Sequence, residues 1–154
     1  NTSAHAATDL PTTITSTNNN GAVATGDTFV VTYLVDIAPS IVNTAAGATT
    51  LTFSEASGGH VMVAIAGLMA TSDTGISTSN TWVKNNKTIA CAGTLSVSGA
   101  VVTWTATGSC TPSGDVAGGA SGTLAFTPDA SATGVKDFAG NAPTGTKTYT
   151  ATLF

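Results

Sequence analysis

The side chains that build soluble helices are nearly missing from this chain. It has no Arg and no Gln, a single Glu (Glu55) and four lysines, and 8% of its 154 residues are charged. About thirty threonines, with many Ser, Asn and Gly residues, supply the polarity instead. Thr is branched at Cβ and packs well on a pleated surface, whereas Glu, Gln, Lys and Arg favour helices, so the composition directs the chain to β structure throughout. A surface of hydroxyls and amides rather than charges suits material exposed outside a cell, and an extracellular or cell-surface location is expected. The length fits one domain, and 42% hydrophobic residues are enough for one core.

Charge excludes several classes of partner. The net charge of −4 is spread over isolated carboxylates, and Lys84, Lys87, Lys136 and Lys147 form no cluster, so neither nucleic acid nor an anionic membrane is an expected partner. The longest apolar run, VMVAIAGLMA at 61–70, is about half the length of a membrane-spanning helix, so no membrane span is expected. The first ten residues carry neither the basic nor the apolar region of a signal peptide, and the N-terminus reads as already processed.

Catalysis is not expected either. Nucleophilic hydrolysis needs a base beside a Ser or Cys, and His5 and His60 are the only histidines. There is no G-x-S-x-G elbow, phosphate-binding glycine loop or zinc-type spacing, and one Glu makes paired-carboxylate chemistry hard to build.

Alternating patterns locate the strands. TFVVTYLVDI (28–37) and TTLTF (49–53) are strong strands bounded by turn residues. The 61–70 run is read as a strand buried on both faces, with Val61, Val63 and Ile65 on the inner one. Further strands are expected at 81–83, 88–90, 122–126 and 146–154, with a hairpin over 94–107 turning near Ser98 and Gly99. That hairpin puts Cys91 and Cys110 on adjacent strands, and a disulfide between them is expected, worth about 3 kcal/mol by loop closure. Residues 1–26 are expected to be an arm or linker, in which Leu10, Thr12 and Ile14 alternate and Pro11 restricts any strand to an edge. Residues 27–154 then form a β-sandwich of eight or nine short strands. The last of them alternates cleanly, with Tyr149, Ala151 and Leu153 on one side and Phe154 at its end.

Three segments, LTFSEA (51–56), GTLAFTPDA (122–130) and GVKDFAGN (134–141), resemble the bacterial Ig-like domains of surface, S-layer and adhesion proteins. The resemblance covers roughly residues 40–154 and implies an Ig-like sandwich. In those domains a strand separates the second and third segments; here only SATGV (131–135) intervenes, which leaves the strand count of the second sheet open. Asp137 can accept the backbone N–H groups of the turn it opens; alternatively Asp129, Asp137 and the Asn141 carbonyl offer hard oxygen ligands for a structural calcium ion. Asn86-Lys87-Thr88 fits the N-glycosylation pattern.

Two functions fit these features. One is a subunit of an extracellular, pilus-like filament that associates with itself by strand exchange: the arm (Leu10, Ile14) would complete a neighbour's core around Val61, Val63, Ile65 and Trp104, as in donor-strand pili, which the terminal YTATLF strand also resembles. The other is an Ig-like adhesin or S-layer module with a ligand on the end loops 71–80 or 112–120, beside Trp82. A virion decoration or fibre protein has the same composition.

Overall fold

The computed structural model describes residues 8–17, 23–39, 49–55, 59–77, 87–111 and 120–154. Nine strands account for most of them: β1 (Thr13–Ser16), β2 (Thr28–Thr32), β3 (Thr49–Glu55), β4 (His60–Ile65), β5 (Met69–Ser77), β6 (Thr88–Ser98), β7 (Val101–Thr111), β8 (Ala120–Phe126) and β9 (Lys147–Leu153). All pairings are antiparallel. A curled seven-stranded sheet runs β1-β2-β7-β6-β3-β4-β5, and β8 and β9 make a second sheet of two strands. The fold is the expected all-β sandwich, and among the described residues the second sheet, its strand count left open by the short 131–135 segment, has two strands.

Alternation decides which side chains face inward. Along β6 the buried positions are Ile89, Cys91, Gly93 and Leu95, and along β7 they include Val102, Trp104, Ala106 and Cys110, while the intervening threonines face outward. Phe154 fills the centre of the core, edge-on to both Phe53 and Trp104 with ring centroids 6.2 and 6.3 Å away. The Trp104 indole lies across Gly93, where a Cβ would sit 2.3 Å from a ring carbon, and its N–H donates to the Thr49 carbonyl at 3.3 Å. Only glycine leaves room for this ring.

Cys91 and Cys110 are directly opposite each other on β6 and β7 and form the expected disulfide. The hairpin turn falls at Gly99 and Ala100, with Gly99 at φ +59°. β2 stops at Thr32, short of the expected 37, because its partner β7 begins at Val101. Beyond that point Tyr33 and Ile37 donate to the turn carbonyls of Ala100 and Gly99, and the chain bends outward at Leu34 and Val35.

The 61–70 run corrects the sequence reading. It is two strands, broken at Ala66–Leu68 where Gly67 adopts φ +83° and Leu68 N donates to Ile65 O at 2.9 Å. Val61, Val63 and Ile65 are buried as expected, but Met62 and Ala64 on the other face are only half-buried, so among the described residues no second layer covers them. Residues 71–77, expected as loop, continue β5. The strand expected at 81–83, Trp82, Asn86 and loop 112–119 lie outside the described residues.

Candidate assembly seam

Curling brings both edges of the large sheet toward the small one. At the first meeting, β5 and β8 converge through a Met69–Pro128 bridge, Ala70 N donating to Thr127 O at 2.8 Å and Asp129 N donating to Leu68 O at 3.3 Å. At the second, β1 lies beside β9 without a strand ladder between them. This second seam contains the segment expected to be a loose arm.

Residues 8–17 are fixed at several points along it. The Thr8 side chain is buried, its hydroxyl 3.0 Å from Asp137 Oδ2 and 2.9 Å from the Asn141 carbonyl, so its one proton serves either acceptor. The Pro11 carbonyl accepts from the Tyr149 hydroxyl and from Lys147 Nζ at 3.4 Å. Proline has no N–H to give a ladder, so this edge segment is held through its carbonyl instead. Ile14, 6% exposed, stands opposite Val31 and is the segment's one large side chain fully in the core; Leu10 packs on the core from a half-buried position. At the far end Phe154 N donates to Ser16 Oγ at 3.2 Å, while Thr17 N donates to Thr28 O and Thr28 N to Thr17 Oγ1 at 2.9 and 2.8 Å.

Within one chain the arm does not meet the residues expected as a neighbour's acceptor. Val61, Val63 and Ile65 are on β4, near the opposite edge of the seven-stranded sheet, and Trp104 is on β7, so the arm's neighbours are β2 and β9. Tyr149, Leu153 and Phe154, expected as a terminal strand, form the seam's other wall, all three buried. Sequence reasoning missed this juxtaposition; Pro11 beside two alternating apolar residues was the one local sign of an edge segment.

The acidic residues of the expected calcium site have structural partners. Asp129 accepts Gly67 N at 2.6 Å and Ser131 N at 2.8 Å, tying the β4–β5 turn to the 129–134 loop. Asp137 accepts Ala139 N at 2.9 Å and Asn141 N at 2.8 Å in addition to Thr8, and Asp137 N donates back to the Asn141 carbonyl at 3.0 Å. Among the described residues no group of three or more His, Cys, Asp or Glu side chains could hold a metal ion. Partial burial pushes both carboxyls upward, but the hydrogen bonds outweigh it, from Ser131 and Gly67 for Asp129 and from Asn141, Thr8 and Ala139 for Asp137, and both are held below the usual carboxylate range. Asp73 is also lowered, first by the Gly75 N–H and then by His60, 3.2 Å away.

Burial raises the seam's Tyr149 hydroxyl to about 12. Tyr33 is raised further, by burial and by the neighbouring Tyr149, and among the described residues its hydroxyl has no hydrogen-bond partner. Both phenols are therefore neutral at physiological pH, and Tyr149 is a donor there. Leu34, Val35 and Phe138 are the exposed large hydrophobic side chains among the described residues. Leu34 also borders a cleft of about 410 Å³ between Thr8–Thr12 and Lys147.

Among the described residues no helix is long and apolar enough to cross a membrane. No protein-family model, curated protein or solved structure matches the chain.

Proposed function

We propose that this chain is a structural subunit of an extracellular filament, assembled by strand exchange between neighbouring β-sandwiches. The observation that carries the reading is the seam itself. One wall is β2, which becomes the sheet's edge if β1 leaves, and the other is β9, and what closes them is a four-residue strand laddered to β2 but joined to β9 through side chains. A sandwich completed by so small an element offers an open edge whenever that element leaves, and an open edge pairs with the next chain. The Thr-rich surface and the disulfide suit an oxidising environment outside the cell.

The test is electron microscopy with light scattering on concentrated material, comparing the full chain with one lacking residues 1–17. Fibres from the full chain that the truncated chain does not form support the reading. Normal fibres from the truncated chain, or a full chain that stays near 15.0 kDa at every concentration, would overturn it. The second outcome would favour the Ig-like adhesin or S-layer reading, in which Asp137 and Asn141 organise a turn of one spacer module.

A further inference from the structure

We infer that the element exchanged is residues 8–17, and that its acceptor is the β2–β9 seam of a second copy of this chain. The inference rests on the self-assembly reading above and decides which end of the sandwich donates. β9 is a poor donor: it pairs with β8 along its whole length, from Ala120–Leu153 to Phe126–Lys147, and continues into Phe154 at the centre of the core. Removing it would dismantle the second sheet. β1 is four residues long, is laddered on one side only and places one large side chain fully in the core.

The acceptor is already shown to fit this segment, because the segment sits in it. Its contacts, among them Thr8 to Asp137, Pro11 to Tyr149, the β1–β2 ladder through Ile14 and Val31, and Ser16 to Phe154, are noncovalent and are reproduced unchanged when an identical segment arrives from another chain. Exchange of an identical element costs little beyond association for that reason.

Geometry limits where the partner can be. From Val23 onward the donor is held on its own sandwich: Val23 is buried, Gly26 N donates to Ala106 O, Ala106 N donates to Asp27 O, and Ala24 N donates to Asp27 Oδ2. The connection from Thr17 to Val23 spans about 20 Å at full extension. A partner's seam must therefore lie within that distance of the donor's Val23, which requires sandwiches in direct contact. The same short connection gives the closed monomer an effective concentration on the order of millimolar, so exchange is set when chains fold together at high concentration rather than by dilute mixing.

The test uses two single variants, Thr15→Cys and Val30→Cys, which occupy paired, outward-facing or half-buried positions on β1 and β2. The two chains, carrying different tags and with the native disulfide intact, are refolded together at about 1 mM and oxidised. A disulfide between the Thr15→Cys and Val30→Cys chains is strongly favoured when β1 of one chain lies on β2 of the other, and the separately refolded mixture measures pairing by collision alone. The expected result is a mixed covalent pair, absent when the two proteins are refolded separately, diluted and then combined. A mixed pair without fibres upholds the exchange and overturns the filament reading. Fibres without a mixed pair overturn the exchange and leave the filament to some other contact. Neither product overturns both.

Discussion

Pro11 and Tyr149 show how single groups hold the seam. The Pro11 carbonyl faces β9 with no ladder to join, and the Tyr149 phenol satisfies it. Tyr149→Phe removes one buried hydrogen bond, and chemical denaturation should show a loss of about 1 kcal/mol. The same phenol sets the alkaline limit. Its value rises from 10.0 to about 12 on folding, so its contribution is complete below pH 10 and is lost progressively toward pH 12, with Tyr33 acting in the same direction. Stability measured across that range should fall less steeply in Tyr149→Phe than in the parent chain. The acid side has the opposite sign: Asp73, Asp129 and Asp137 are lowered on folding, so what they contribute is present above pH 3.8 and fades below it. Gly93 is a small residue with no room to grow, because a Cβ there would overlap the Trp104 indole. Gly93→Ala should cost about 1–3 kcal/mol by overpacking, read as a lowered melting temperature.

The strands themselves were largely legible, because inward and outward positions alternate at period two in β2, β3, β6, β7 and β9 and the turns carry Gly or Pro. Two kinds of element were not. Gly67 sits inside an unbroken apolar run, and what makes it a turn is its positive φ together with the Asp129 carboxylate on its N–H, a partner 62 residues away. β5 reads TSDTGIS over most of its length, so its polar residues imitate a loop, although Ser72 and Thr74 are buried and hydrogen-bonded inside the sandwich. The seam was invisible for the same reason as Gly67's partner: Thr8 and Asp137, or Pro11 and Tyr149, meet only in the folded chain. Reading the disulfide needed only the hairpin register. Its reduction should lower stability by about 3 kcal/mol, measurable as a shift of the denaturation midpoint with and without reductant.

At the scale of the whole molecule, a nearly closed wall of strands has two meetings of unequal quality. The β5–β8 meeting shares backbone hydrogen bonds, whereas the β1–β9 meeting depends on side chains, the Ser16 hydroxyl, the Tyr149 phenol and the Lys147 ammonium. Strain or crowding should open the second first, and hydrogen exchange should find the amides of residues 12–17 less protected than those of β6 and β7. The exposed Leu34 and Phe138 contribute little to this closure, so Leu34→Ser and Phe138→Ser should each change stability by less than about 0.5 kcal/mol. The proposed assembly uses the weaker seam, the segment that closes one sandwich closing the next. The most direct measurement is an electron cryo-microscopy map of the assembled material in which the chain can be traced from Thr17 to Val23. The account predicts that this connection crosses from one sandwich to its neighbour; density that returns β1 to its own sandwich throughout would contradict it.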